Sequence, residues 1–141
     1  MIIKEDKLQN VFSLFVEIES HKNFNKLENE FEEFQSLIIS ADLVIVDKLL
    51  HKQKSPVINT FISKGKLEEI KNIIKDQDID LLIINHQLSA SQNRNLEIFF
   101  NVRVIDKTEL ILDIFASRAS SYIGKLQVEL AQLKHLSTRL I

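Results

Sequence analysis

The closing residues 104–141 (VIDKTELILDIFASRASSYIGKLQVELAQLKHLSTRLI) constrain the fold more than any other stretch. They open as a strand and turn into a long helix. Along that helix Ala116, Ala119, Ile123, Leu126, Leu130, Leu133, Ser137 and Leu140 are separated by alternating steps of three and four. This is the a/d spacing of a coiled-coil seam, small at its start and Leu-rich further on. Arg118, Ser120, Lys125, Gln127, Glu129 and Lys134 fall between the seam positions and suit water. A lone amphipathic helix is not stable by propensity; its stripe needs a partner. One reading lays the stripe along the core of its own domain. The favoured reading treats the chain as lacking the segment that covers it, because no returning helix follows.

Upstream, elements alternate. Residues 11–18 (VFSLFVEI) carry β-branched and aromatic side chains at near-alternate positions and predict a strand. Residues 27–41 place Leu27, Phe31, Phe34, Ile38 and Ala41 at helical spacing, with four glutamates assigned to the positive end of the helix dipole. The run 42–47 (DLVIVD) predicts a buried parallel strand, and 51–56 a polar connection holding the only proline. Residues 60–62 predict a short strand and 67–75 a helix. Residues 79–84 (IDLLII) predict a second buried strand. Ser89, with Gln92 three positions on, predicts a capping box for a helix over 90–100. Residues 102–105 predict the last strand. Strand–helix alternation with apolar strands implies an α/β fold: a small, mostly parallel sheet flanked by helices, then the long C-terminal helix. The division is residues 1–109 as the α/β body and 110–141 as the helix.

Composition and charge narrow the function classes. Hydrophobic content of 45% and charged content of 27% suit an ordinary globular chain. No apolar run is long enough for a transmembrane helix, and the first ten residues lack a signal-peptide core. The absence of cysteine excludes disulfides and thiolate metal sites and fits a cytoplasmic protein. Of the 18 Lys/Arg and 20 Asp/Glu, residues 116–141 hold Arg118, Lys125, Lys134 and Arg139 against Glu129 alone. That is a balance of +3, leaving −5 for the rest of a chain of net charge −2. A polyanionic partner is therefore expected at the helix and not at the body.

Catalytic patterns are scarce. Gly65-Lys66 invites comparison with the phosphate loop G-x-x-x-x-G-K-[ST], which needs glycine at position 60 and Ser/Thr at 67. The chain has Thr60 and Leu67, so the motif is absent. What remains is a glycine before a helix, able to attract an anion to free N–H groups or simply to permit a tight turn. Asp106 stands at the carboxyl end of a strand, where α/β sheets place ligands, and equally suits an N-cap shared with Glu109. Gly65, Lys66 and Asp106 are thus the candidate anion or nucleotide site. His21, His51, His86 and His135 show no metal-ligand spacing.

Four blocks carry a family resemblance: 60–70 (TFISKGKLEEI), 88–97 (LSASQNRNLE), 104–119 (VIDKTELILDIFASRA) and 124–133 (GKLQVELAQL). In this order they resemble the N-terminal region of HflX-type GTPases, from about residue 56 onward. Departures are Ser63 where glycine is usual, Ala90 for proline and Lys107 for arginine, with His135 and Thr138 for tyrosine and proline.

The resemblance implies a cytoplasmic, stress-linked GTP-binding protein that binds the large ribosomal subunit and splits or rescues ribosomes. Its order would be this α/β domain, an antiparallel helical hairpin and a GTPase domain using GTP and Mg2+. The long helix would be the first arm of that hairpin. Lys134, His135 and Arg139 near the tip, and Arg118 and Lys125 behind them, would meet rRNA, whose phosphates attract Lys and Arg. The implied partners are the large subunit with its rRNA, the GTPase domain and the returning helix. No GTP hydrolysis is expected from these 141 residues, which lack the phosphate loop. Two alternatives stand beside this: an ATP-binding α/β domain, and a stand-alone module that dimerises through the helix.

Overall fold

A computed structural model describes residues 9–19 and 23–139, with the side chains of the last helix described through Ser137. The element order is β1 (Asn10–Ile18), α1 (Phe24–Ile39), β2 (Val44–Gln53), α2 (Lys64–Asp76), β3 (Leu81–Ile84), α3 (Ala90–Phe100), β4 (Arg103–Ile105) and α4 (Lys107–Arg139). The four strands form one sheet in the order β2-β1-β3-β4, every pairing parallel. The α/β expectation holds, and the sheet is wholly parallel among the described residues.

Parallel strands need crossovers, and the helices divide over the two faces. Phe12, Leu14 and Val16 of β1 pack with Leu67, Ile70 and Ile74 of α2 and Leu96 and Phe100 of α3. On the other face Val11 and Phe15 meet Leu27, Phe34 and Ile38 of α1 and Leu110 and Ile114 of α4. Covered on both sides, β3 (Leu81–Ile84) is a continuous apolar run with no exposed residue.

Several expectations need correction. The strand predicted over 42–47 runs to Gln53 and absorbs part of the predicted polar connection. It is also an edge strand, paired only with β1, so Val44 and Val46 stay partly exposed where burial was expected. A register shift opposite Val11 and Phe12 leaves Val46 as an extra residue. That bulge, with Lys48 and Lys52 exposed, discourages further strand addition.

No strand forms over 60–62. Val57 and Phe61 make an isolated antiparallel bridge, and the chain turns there with Phe61 at φ 66°. Gly65 therefore does not make the turn: it lies inside α2 without a positive φ. Helix α1 begins earlier than predicted, capped by the Asn23 side chain on the Lys26 N–H at 2.8 Å. Its first turn consequently holds no acid, and the dipole argument for the glutamates fails. Helix α4 starts at Lys107.

The capping box of α3 is present in both arms, Ser89 with Gln92. Asn101 ends that helix in the left-handed region at φ 55°, which asparagine tolerates.

Candidate functional site

Helix α4 has 33 residues and is about 50 Å long at 1.5 Å per residue. Among its described residues only Leu110 and Ile114, in its first turns, are buried. From Ser120 to Ser137 every residue is exposed except Gly124, which is half-buried. The seam found in the sequence is thus bare: Leu130 is 65% and Leu133 63% exposed. The helix is a rod, rooted by two side chains and leaving the body.

Its cationic residues do not form one stripe. At about 100° per residue, Arg118 and Lys125 share a face with Phe115 and Tyr122, which are 70% and 65% exposed. Lys134 lies on nearly the opposite face, one position before His135. Arg139 belongs to α4, but its side chain lies outside the described residues, as does Leu140 of the seam. Exposed rings interleaved with cations on one face were not singled out by the sequence argument, which weighed charge alone.

The second candidate region is the carboxyl edge of the sheet. Asp106 is fully engaged there: Oδ1 accepts the Glu109 N–H at 2.8 Å and Oδ2 the Leu88 N–H at 3.0 Å. The first bond is the expected N-cap of α4. The reciprocal arm of a capping box is not made, because the Glu109 carboxylate pairs with Arg103 at 3.1 Å. Lys66 is ion-paired with Glu69 one turn on. Gly65 and Lys66 lie in the first turn of α2, which packs on one face of the sheet, and Asp106 immediately precedes α4, which packs on the other. No hydrogen bond or ion pair joins Asp106 to Gly65 or Lys66 among the described residues.

Past the carboxyl end of β3, beside β1, lies an open crevice of about 590 Å3 whose lining includes Glu17, Glu19, Glu30, Glu33, His86 and Lys107. Doubly wound sheets bind ligands at such a switch point. Asn85 closes its floor by copying a strand: it accepts the Val16 N–H at 2.7 Å and donates to the Val16 carbonyl at 3.2 Å. His86 Nε2 donates to the same carbonyl at 2.6 Å, which fixes its proton on that nitrogen.

A third cluster was invisible to spacing. His51 and Gln53 extend from the end of β2, and the turn at Phe61 brings Ser63 back onto them. Gln53 Oε1 accepts the Ser63 N–H at 2.9 Å and lies 3.1 Å from His51 Nε2, and Ser63 Oγ is 3.4 Å from that nitrogen. Ser63 therefore does not cap α2 with its hydroxyl. Burial holds the His51 pKa below its usual 6.5, aided by the nearby Lys66 charge and opposed by the Gln53 hydrogen bond and Glu69. A periodicity argument stopping β2 at residue 47 had no means of finding this group.

Among the described residues no group of His, Asp or Glu is arranged to hold a metal ion. No helix there is long and apolar enough to cross a membrane.

Comparison with known proteins agrees with the blocks noted in the sequence. Residues 28–116 match the family described as GTP-binding GTPase N-terminal. The chain is 41% identical, over 98% of its own length, to a protein of Alkalihalophilus pseudofirmus named GTPase HflX, and covers 32% of that protein. It is 46% identical over 79% of its length to the GTPase HflX of Escherichia coli K12, covering 26% of it. Among solved structures it is similar to SsGBP in complex with GDP, with a TM-score of 0.60 and 33% identity over 89% of this chain and 34% of the other. A GTP-binding protein from Sulfolobus solfataricus, also with GDP, gives a TM-score of 0.56 at 28% identity over 92% of this chain and 40% of that one. The chain thus spans about a third or less of the length of the curated relatives.

Proposed function

Because the chain belongs to the GTP-binding GTPase N-terminal family, as the N-terminal region of an HflX-type protein, we propose that it is the ribosome-docking module of a cytoplasmic GTPase that splits or rescues ribosomes under stress. In this reading the α/β body is the base and α4 is the arm that enters the large subunit. GTP and Mg2+ belong to the catalytic domain that relatives three times this length accommodate. The returning helix of the hairpin covers the α4 seam.

The observation that carries the reading is the bare helix. A 33-residue rod held by Leu110 and Ile114, with Arg118, Lys125, Lys134 and His135 along it, is built to reach into something larger. Cations on an exposed helix suit rRNA phosphates, and Phe115 and Tyr122 suit unstacked bases.

Pelleting the chain with purified large subunits through a sucrose cushion tests this. It should pellet with large but not small subunits, and the fraction bound should fall as salt rises. Lys125→Glu with Lys134→Glu should weaken binding about tenfold or more, the order expected for two reversed phosphate contacts. Equal pelleting with small subunits, or no effect of charge reversal, would sink the proposal.

Nucleotide binding by the α/β body is the weaker reading. Asp106 is spent on backbone N–H groups and Lys66 on Glu69. Titration with ATP is the direct check, and saturable binding lost in Lys66→Ala would restore it.

A further inference from the structure

The loop between β2 and α2 satisfies its backbone in a way that exposure to water does not require. Surface loops ordinarily leave carbonyl groups to solvent. Here side chains from two neighbouring elements take them up. From the end of β2, Gln53 Nε2 donates to the Ser55 carbonyl at 2.7 Å and to the Phe61 carbonyl at 2.8 Å. From α3, Gln92 Nε2 donates to the carbonyls of Val57 and Ile58, both at 3.2 Å, and Asn95 Nδ2 to that of Asn59 at 2.9 Å. Thr60 Oγ1 donates to the Ile62 carbonyl at 2.9 Å. The N–H groups of Ile58, Asn59 and Thr60 make no hydrogen bond among the described residues. The tip therefore offers donors while its carbonyls at 57, 58 and 59 are occupied.

This backbone presents Ile58, 88% exposed, with Val57 beside it. Cations surround it. Between Asp47 and Glu68 the chain has Lys48, Lys52, Lys54, Lys64 and Lys66 and no acid. Lys54 and Lys64 stand at the two feet of the loop, and Arg94 lies on α3 between the two residues that hold it. All three are exposed and make no ion pair among the described residues. The acids that come near from other elements are Glu69, paired with Lys66, and Glu19, whose N–H donates to the Gln53 carbonyl at 2.8 Å. The negative balance of the α/β body as a whole conceals this basic corner.

An exposed isoleucine, occupied carbonyls, free N–H groups and flanking lysines together suit the surface of an anionic bilayer. Ile58 leaves water on entering the headgroup region, and a carbonyl that already has a donor is not penalised for losing its hydration. Lysine and arginine are drawn to the lipid phosphates, and the free N–H groups can donate to them. A nucleic acid would reward the cations but not Ile58. Nor does the corner offer a base an exposed ring among the described residues, since Phe61 is buried and packs on His86 at 4.8 Å. Docking of this kind needs no spanning helix. The loop stands at the carboxyl edge of the parallel sheet, whereas α4 runs back across the sheet and projects past the amino edge. A helix returning along α4 meets the body at that amino edge, away from Ile58.

We propose that the 54–64 loop docks the protein reversibly on anionic phospholipid membranes, with Ile58 inserted among the headgroups and Lys54, Lys64 and Arg94 on their phosphates. This goes beyond the ribosome reading and does not rest on it. Ribosome binding through α4 can fail while membrane docking stands, and the reverse.

Vesicles of phosphatidylcholine mixed with phosphatidylglycerol, and vesicles of phosphatidylcholine alone, are the probes. The 141-residue chain should co-sediment with the first and not the second, and the bound fraction should fall as salt rises. Ile58→Asp should weaken binding about tenfold or more, the factor expected when a buried isoleucine is lost. Lys54→Glu with Lys64→Glu should weaken it by at least about tenfold as well. Both sites are exposed, so the urea midpoint should stay that of the parent. Because the chain has no cysteine, Ile58→Cys and Tyr122→Cys can each carry one environment-sensitive fluorophore. The label at 58 should shift to the blue on the anionic vesicles, and the label at 122 should not. Absence of binding to the anionic vesicles overturns the proposal, as does binding unchanged in Ile58→Asp. A shift at 122 without one at 58 assigns lipid contact to α4 and overturns it too. So does a charge-reversed loop that loses affinity for ribosomal RNA while vesicles leave the parent chain in the supernatant, an outcome that assigns the corner to nucleic acid.

Discussion

Asp106 holds Leu88 in place: its Oδ2 accepts the Leu88 N–H at 3.0 Å, while its Oδ1 accepts the Glu109 N–H that opens α4. One carboxylate thereby ties the loop after β3 to the helix after β4. Asp106→Ala removes an N-cap, worth about 1 kcal/mol, and orphans a second donor for about 1 kcal/mol more. The expected loss is about 2 kcal/mol by urea unfolding. Asp106→Asn keeps the cap oxygen but presents an N–H2 to Leu88, so its loss should be intermediate. An Asp106→Ala variant as stable as the parent would show the latch to be ornamental.

Gln35 is 4% exposed on α1, and neither end of its amide has a hydrogen-bond partner among the described residues. A buried, unsatisfied amide costs about 1–3 kcal/mol. Gln35→Met keeps the length of the side chain and removes the polar atoms. It should stabilise the chain by about 1 kcal/mol, raising the urea midpoint without changing the m-value. A loss of stability would mean that the amide is satisfied in solution.

His51 predicts a pH dependence. Its folded-state pKa lies below the ordinary 6.5, chiefly through burial, so below that value the unfolded chain binds the proton better. The His51 contribution is complete above the unfolded pKa and is lost as pH falls through 6.5 toward the folded value. Stability measured from pH 7.5 down to 5 should therefore fall, and His51→Gln should flatten that stretch of the curve. An identical slope in the variant would assign the dependence to other groups.

Burial is divided unequally between sheet and rod. Ile83→Ala, at a position with no exposure, should cost about 3 kcal/mol. Leu130→Ala, on the bare part of α4, should change stability by less than about 0.5 kcal/mol. Comparable losses at both sites would mean that α4 folds back onto the body.

What the sequence disclosed followed from periodicity. Leu81–Ile84 could only be a strand covered on both faces, and Ser89 with Gln92 only a helix start. What it concealed followed from tertiary context. Residues 42–47 read as buried because they are apolar, yet Val44 and Val46 sit on an edge, and nothing local says which strand will be outermost. The turn at Phe61 uses a left-handed φ on a residue that rarely adopts one, so Gly65 took the credit by composition. The His51–Gln53–Ser63 group forms only because that turn folds the chain back across ten residues. Of the candidate sites, the bareness of α4 was legible. The engagement of Asp106 by the Leu88 N–H was not, because it depends on how the loop after β3 meets the start of α4.

The strand order has a consequence for how the chain is made. β1 is synthesised first and ends up inside the sheet, with β2 on one side and β3 on the other. Val11 finds Ile45 early, but its other neighbour, Leu81, is 70 residues away from it in sequence. Until Ile84 has been added, a nascent chain holds one flank of β1 open, with a row of unpaired N–H and carbonyl groups. The interval between the synthesis of β2 and that of β3 is when this chain is most exposed to mispairing.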